Sequence, residues 1–229
     1  HNFEFIQPDG RKNFAEGMNN TCRYTAKAGL QTFRFAVRRG LRYCYVTVRG
    51  CESAVFHKLY VERCSYPQPG RGDFLCSDWK LNRIYEVGKN TLVNCEEDTF
   101  TDCPTYEQVH WVGDMRNEAL VHFMMNGDKA LWLRCLKQVG ESLEYSDITL
   151  SQVPSGWFNV LPCWTFLWMR SICEYYRYTG DRKGAKELVP FLRKNFEGIR
   201  KHVNGDGLFQ MFAWNMFDWA AMDTPCDGA

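Results

Sequence analysis

A short turn signal occurs twice in this chain, 53 residues apart. The tetrapeptide Asn-Gly-Asp-Lys at 126–129 returns as Thr-Gly-Asp-Arg at 179–182, and each copy separates two helical patterns. Glycine can end a helix in the left-handed conformation, and aspartate can cap the helix that follows. A helical hairpin that repeats at about fifty residues is typical of an α/α array or toroid.

Apolar residues at helical spacing predict five helices around these turns. The first starts near Ser77, a plausible N-cap, and continues to Cys95. We expect Pro190 to kink or break the last helix. The other predicted segments cover residues 114–126, 128–144, 166–178 and 182–203.

The first part of the chain has the period-two pattern of β-strands. Alternating residues predict strands at 31–38, 41–49 and 54–64, and a Pro- and Gly-rich linker ends near residue 72. Three strands are too few for an independent sandwich. Residues 1–72 are therefore predicted to be the C-terminal strands of a β-sandwich domain and a linker.

Composition excludes several classes of function. The 229 residues carry a formal net charge of +1, which gives no electrostatic reason to expect nucleic acid or a membrane surface as a partner. Eleven cysteines without a C-x-x-C pair favour reduced thiols and a cytoplasmic location, although export of a longer parent protein stays open. The spacing of histidines predicts no metal site, and nothing indicates a cofactor.

Residues 101–114 combine three acids with one indole. If the segment after Pro104 is helical, Glu107, Trp111 and Asp114 lie on one face, with Asp102 just before it. Acids held close together cannot all ionise freely, so one tends to stay protonated near neutral pH. A protonated carboxyl beside ionised ones and a flat apolar wall suits acid-catalysed glycosidic cleavage.

A structural interpretation of the same residues competes with the catalytic one. Asp102 and Asp114 could each cap a helix, while Glu107 is a solvated acid and Trp111 a core residue. Spacing alone favours this interpretation, because short acid clusters are common at helix starts.

The 102–114 segment resembles the bacterial α-L-rhamnosidases with a six-hairpin (α/α)6 barrel. Residues 72–85 are similar to the family's passage from β domain to first barrel helix, and looser likeness covers 157–164 and 217–219. Thr105 and Gln108 stand where the family commonly has arginine. The matching motif positions are Asp102-Cys103-Pro104, Glu107, Trp111 and Gly113-Asp114.

The resemblance implies a mainly α fold, in which residues 73–229 form the N-terminal half of an (α/α)6-barrel catalytic domain. It also implies an inverting α-L-rhamnosidase that removes terminal rhamnose from glycosides or polysaccharides. Glu107 would be the general acid. Asp102 and Asp114 would hold hydroxyls of the sugar. Aromatic surfaces against the sugar would come from Trp111, Trp157, Trp164 and Trp219.

A closed barrel of this kind needs twelve helices, and its water-activating base would be a glutamate in the second half. We therefore expect the chain to be a fragment, inactive alone and prone to associate, including with copies of itself. Three other functions remain open at this point. They are a non-catalytic carbohydrate-binding relative, a helical interaction module, and a polysaccharide lyase that uses His110 and Tyr106 to move a proton.

Overall fold

The structure is a computed structural model that describes residues 2–3, 5–6, 12–13, 21–70 and 72–216. Its main elements are five α-helices, and a short 3-10 helix, Ser142–Glu144, continues the third. The helix bounds are α1 (Trp79–Asn94), α2 (Val112–Asn126), α3 (Ala130–Glu141), α4 (Pro162–Thr179) and α5 (Arg182–Lys201).

All five predicted helices are present, with shifted ends. The N-cap of α1 is Asp78 rather than Ser77, and its carboxylate accepts a hydrogen bond from the Lys80 amide at 2.8 Å. Helix α4 starts earlier than expected, with Pro162 in its first turn, where a missing amide proton costs nothing. Helix α5 runs through Pro190 without a break, so a break there is wrong, while the alternative, a kink, stays a prediction.

The strands are much shorter than predicted. Of the three segments expected between 31 and 64, only Tyr43–Cys44 forms a strand in the described part of the chain. A strand needs a hydrogen-bonded neighbour and a covered face, whereas Phe33 and Val37 are 48 % and 55 % exposed. The assignment of residues 1–72 to a sandwich domain stays a prediction. The observed strands are β1 (Asn2–Phe3), β2 (Phe5–Ile6), β3 (Lys12–Asn13) and β4 (Tyr43–Cys44), with β1 antiparallel to β4 and β2 antiparallel to β3.

The glycines of both repeated turns end their helices as predicted, whereas the aspartate is the N-cap residue only in the second turn, since Lys129 is the N-cap of α3. Gly127 ends α2 at φ 64° and Gly180 ends α4 at φ 63°, a backbone region that favours glycine. Asp181 caps α5 by accepting a hydrogen bond from the Gly184 amide at 3.0 Å. Asp128 accepts from the amide of Ala130 at 3.2 Å in the equivalent turn. Each aspartate therefore stabilises the start of the second helix of its hairpin.

The two hairpins pack in register as two layers. Helix α2 contacts α4, and α3 contacts α5, so equivalent helices of the repeat are neighbours. The turns themselves meet through an ion pair of 2.9 Å between Lys129 and Asp181. The backbone amide of Gly184 and the Lys129 ammonium hold the pKa of the Asp181 carboxyl below its ordinary value. This stacking of like on like is the arrangement expected for a helical-hairpin toroid.

Large aromatic side chains fill the space between the layers. Trp132 and Trp168 are fully buried, and each satisfies its indole N–H. Trp132 donates to the Ser171 hydroxyl at 2.9 Å, and Trp168 donates to the Leu136 carbonyl at 3.0 Å. Tyr175 meets Trp132 edge to face, with ring centroids 5.5 Å apart. The core thus combines apolar burial with satisfied polar atoms.

A buried polar cluster fastens the linker before α1 to the end of α2. His122 is fully buried, and its two ring nitrogens lie 2.7 Å from Glu96 and 3.3 Å from Asp128. Gln68, on the linker, donates to the other oxygen of Glu96 at 2.5 Å. Burial acts to lower the pKa of His122, but the hydrogen bonds and charges of Glu96 and Asp128 outweigh it and raise that pKa.

Helix α1 presents a largely uncovered apolar side. Trp79 is 70 % exposed and Ile84 is 65 % exposed, with Leu81 and Val87 also exposed. Exposed apolar helix surface is the reason for which we expect the chain to associate. The association itself stays a prediction. Within the described ranges, none of the helices combines the length and apolar character needed to cross a bilayer.

Two helical glycines provide a matched test of packing. A Cβ at Gly198 in α5 would lie 1.7 Å from the Asp147 carbonyl oxygen, whereas a Cβ at Gly88 in α1 would meet nothing within 4 Å. We expect Gly198→Ala to lower the free energy of unfolding by about 1–3 kcal/mol. Gly88→Ala should raise it by about 0.5–1 kcal/mol through helix propensity. Urea denaturation measures both, and equal effects would contradict the close approach.

The His122 cluster predicts a specific pH dependence. The folded pKa of His122 lies above its ordinary value of 6.5, so its contribution is complete below that value. It is lost as pH rises through the folded pKa. His122→Gln should therefore destabilise the protein most at pH 5–6 and progressively less at higher pH, as measured by thermal unfolding. His57→Gln, at an exposed position, is the control and should show no such trend.

Candidate active site

Asp102 and Glu107, two of the three acids of the central segment, lie on a closed loop instead of a helix. The amide of Asp102 donates to the Val109 carbonyl at 3.0 Å, and the amide of Val109 returns to the Asp102 carboxylate at 2.8 Å. Between them Gln108 has φ 53°, outside the helical region, and its side chain donates to the Pro104 carbonyl at 2.7 Å. The helical face proposed for Glu107, Trp111 and Asp114 is therefore wrong.

Trp111 nevertheless brings the loop and α2 together. It is the N-cap residue of α2 and is 8 % exposed. Its indole N–H donates to the Glu107 carboxylate at 2.5 Å, which holds an otherwise exposed acid in a defined position. Its ring also meets Trp164 edge to face, with centroids 5.1 Å apart. One side chain thus orients the acid and contributes an aromatic wall.

Gly113 allows the second indole to approach the start of α2. A Cβ at this position would lie 2.8 Å from the Trp164 ring, closer than any real side chain tolerates. Asp114, the next residue, lies in the first turn of α2 and is partly buried. The positive end of the helix dipole favours a carboxylate there. The Gly-Asp pair therefore combines close packing of the aromatic wall with a well-placed acid.

Ser151 joins the starts of α2 and α4. Its carbonyl accepts from the Val112 amide at 2.9 Å, and its hydroxyl accepts from the Leu161 amide at 2.5 Å. The next residue, Gln152, forms an antiparallel bridge with Trp111. Two helix N-termini and the acidic loop consequently lie at one end of the helical layer formed by α2 and α4.

The predicted site residues are only partly brought together. Trp157 lies in the loop before α4 and is 64 % exposed, unlike the enclosed Trp111. Trp219 lies outside the described residues. The contacts above link Glu107, Trp111 and Trp164, and Asp102 holds the same loop through Val109. Asp114 follows in the first turn of α2. Their roles toward a sugar stay predictions.

Sequence reasoning missed three residues of this region. Trp214 and Met216 pack with Trp111 in one apolar cluster. Their position a few residues before Trp219, a predicted site residue, is the sequence signal that could have identified them. Glu118 lies one helical turn after Asp114, and its Oε2 is enclosed without a partner in the described residues. Burial, followed by the charges of Asp114, Glu96 and Asp102, raises the pKa of Glu118 to about 9.

His110 is poorly placed for the proton transfer of a lyase. Its side chain is 2 % exposed, and Nδ1 lies 2.5 Å from the Val153 carbonyl oxygen, to which it donates. Burial lowers its pKa to about 4, so the ring is neutral. A buried histidine of this kind stabilises the loop through its hydrogen bond to Val153 and is not exposed to a substrate.

The helical hairpins and the motif of the acidic loop occur together in a known domain family. Residues 69–229 match the bacterial alpha-L-rhamnosidase 6 hairpin glycosidase domain. The chain belongs to this family, and its mainly helical structure is a partial helical toroid. No curated protein matches it.

Two solved structures are similar to the chain. The GH78 family rhamnosidase of Bacillus sp. GL1 is 42 % identical with a TM-score of 0.68, and the match covers 72 % of this chain and 17 % of that one. A rhamnosidase from Klebsiella oxytoca with rhamnose bound is 23 % identical with a TM-score of 0.53, over 67 % of this chain and 30 % of that one. The second likeness concerns the fold alone. The chain therefore spans less than a third of either protein.

The reciprocal bonds between Asp102 and Val109 predict different effects of two substitutions. Asp102→Asn keeps an oxygen that can accept from the Val109 amide, whereas Asp102→Ala leaves that amide without its partner. We expect the alanine variant to lose about 1–2 kcal/mol and the asparagine variant less than half of this. Hydrogen exchange of the Val109 amide gives the local measurement. Equal protection in both variants would contradict this account of the loop.

Proposed function

We propose that this chain contributes the general acid to an inverting α-L-rhamnosidase that removes terminal rhamnose from glycosides or polysaccharides. Glu107 protonates the departing glycosidic oxygen. Asp102 and Asp114 hold hydroxyls of the sugar, while Trp111 forms a wall of the pocket. Family membership and the 42 % identity to a rhamnosidase support this substrate class.

The observation that carries the proposal is the hydrogen bond from the Trp111 indole to Glu107. General acid catalysis needs a carboxyl in a fixed position beside the leaving oxygen. The loop that carries Glu107 is itself held closed, because Asp102 and Val109 exchange two hydrogen bonds and the Trp111 amide also donates to the Val109 carbonyl. Aromatic rings on one side then provide a surface for the apolar face of a pyranose.

The general base of the proposed reaction is expected in another part of the barrel. Inversion needs a second carboxylate that activates water on the opposite face of the sugar, about 6.5–9.5 Å from the acid. We expect this base in the second half of the toroid, beyond the part of the relatives that this chain matches. Trp164 lies against the Trp111 wall, and Trp157 and Trp219 are proposed as further sugar-contacting aromatics.

We also propose a reducing, cytoplasmic location for the protein. The ten cysteines within the described residues are all unpaired, and Cys95 and Cys135 are buried in the core. Disulfides form readily in oxidising compartments, so a cysteine-rich chain with free thiols suits a reducing one. Labelling of thiols before and after reduction of the protein isolated from its native cell tests this assignment.

Glu107→Gln in the natural-length protein tests the general acid. We expect kcat on a rhamnoside with a poor leaving group to fall by about 10²–10⁴. The loss should be much smaller for an activated aryl rhamnoside, because a good leaving group needs little protonation. Rhamnose binding, followed by calorimetry, should persist. NMR of the first sugar released should show inverted anomeric configuration.

Glu197→Gln is the matched control, since it removes one exposed carboxylate from α5. It should leave both substrates unaffected. Equal losses on good and poor leaving groups would remove the acid role from Glu107. Binding of rhamnose without turnover by the wild-type protein would indicate a carbohydrate-binding relative. Release of an unsaturated, ultraviolet-absorbing product would indicate a lyase.

A further inference from the structure

We propose that residues 38–41, which precede the helical part of the chain, are a positioning element of the acidic loop, and that Gly40 is the positioning residue through which they set the place of Glu107. For its catalytic consequence this inference rests on the proposed function, whereas the contact itself does not depend on the substrate. The general acid and the sugar-contacting residues proposed above all lie after residue 101. The 38–41 segment therefore adds a part of the N-terminal region to the site.

The 38–41 segment is covered although its surroundings in the sequence are not. Every residue from 32 to 37 and from 42 to 64 is exposed, whereas all four residues of the segment are partly buried. Burial that is confined to four consecutive residues indicates a segment docked on a neighbouring surface, and not a general collapse of the region onto the helices. The printed contacts of Arg38 and Gly40 show that this surface includes the acidic loop and the turn that leads into it.

Arg38 binds the turn through which the chain enters the acidic loop. One guanidinium nitrogen donates at 2.6 Å to the carbonyl of Asn94, the last residue of α1, and another pairs with the Glu97 carboxylate. The Arg38 side chain is 19 % exposed. The planar guanidinium can hold two acceptors at once in a fixed geometry, which a lysine ammonium does not reproduce. The chain just before Asp102 is therefore fixed from the N-terminal side.

Gly40 binds the acidic loop itself, two residues after Asp102. Its amide donates to the Pro104 carbonyl at 3.0 Å. A Cβ at Gly40 would lie 2.8 Å from the carbonyl carbon of Pro104, and still closer to the Pro104 oxygen and the Thr105 hydroxyl oxygen. Thr105 is only 4 % exposed, so its side chain has little room to move away. The approach of the two backbones therefore requires glycine at position 40.

The Pro104 carbonyl connects this contact to the proposed general acid. Its oxygen also accepts a hydrogen bond from the Gln108 side chain at 2.7 Å, and a carbonyl oxygen has lone pairs for both bonds. Gln108 follows Glu107 directly and has φ 53°, so its conformation sets the direction of the chain at that acid. Displacement of the Pro104 carbonyl would therefore move Glu107 without removing any group that is proposed to contact the sugar.

Gly40→Ala in the natural-length protein tests the positioning role, because the added Cβ must separate the 38–41 segment from the loop. We expect kcat on a rhamnoside with a poor leaving group to fall by about 10- to 100-fold, since a small misplacement of a catalytic group costs this much. KM should change little, and so should the rate on an activated aryl rhamnoside, which needs little protonation. Gly205→Ala is the matched control, because a Cβ there meets nothing within 4 Å, and it should leave both substrates unaffected.

Arg38 provides a second test that adds no volume to the contact, and it decides the question if Gly40→Ala does not fold. Arg38→Met should lower kcat on the poor leaving group, and Arg38→Lys, which keeps a charge beside Glu97, should recover part of the loss. Arg42→Met, at an exposed position, is the control. Equal losses on good and poor leaving groups, or full activity in both Gly40→Ala and Arg38→Met, would overturn the positioning role.

Hydrogen exchange tests the contact without a substrate. The Val109 amide donates to the Asp102 carboxylate, so its protection reports whether the loop is closed. Gly40→Ala should accelerate exchange of this amide by about tenfold or more, and Gly205→Ala should not. Unchanged exchange at Val109 in Gly40→Ala would overturn the inference, even if the protein hydrolyses rhamnosides. A wild type that hydrolyses no rhamnoside, although Gly40→Ala still loosens the loop, would overturn the proposed function alone.

Discussion

Trp111 connects the parts of this structure that matter for function. Its carbonyl accepts the first hydrogen bond of α2, from the Met115 amide at 2.9 Å. Its backbone pairs with Gln152, which fixes the loop before α4. Its indole bonds to Glu107 and packs against Trp164. A single residue therefore determines where the helix begins, where the acid lies and which surface faces it.

The helical hairpins could be predicted because their signals are local. Gly127 and Gly180 need the left-handed region, and Asp181 caps the helix after it, so short sequence patterns determine these turns. The loop around Glu107 could not be predicted in the same way. Its shape depends on a reciprocal contact between Asp102 and Val109 and on a positive φ at Gln108, which helical spacing does not reveal.

Other differences arise from partners that a linear pattern does not contain. The alternation from residue 31 to 38 is suited to a strand, but pairing is a tertiary event, and Phe33 and Phe35 remain exposed. Glu118 is the opposite case, because its environment in the structure is unusual although its sequence context is not. Nothing in Asn117-Glu118-Ala119 distinguishes it from an ordinary solvated helix acid. Only the packing of α2 encloses one of its oxygens and places it near two acids of the site.

The electrostatics of the site follow from this packing. Thr105 and Gln108 stand where the family pattern has arginines, and Gln108 uses its amide on the Pro104 carbonyl. Arg116 is engaged with Glu174, so neighbouring positive charge comes largely from the N-terminal ends of α2 and α4, which Ser151 holds together. A helix terminus typically stabilises an anion by about 0.3–1 kcal/mol, much less than a full cation in contact. Such weak compensation is too small to accommodate a buried charge on Glu118, one turn further along α2. The raised pKa of Glu118 therefore follows from its burial first and from the charges of Asp114, Glu96 and Asp102 next, with no nearby cation to offset them.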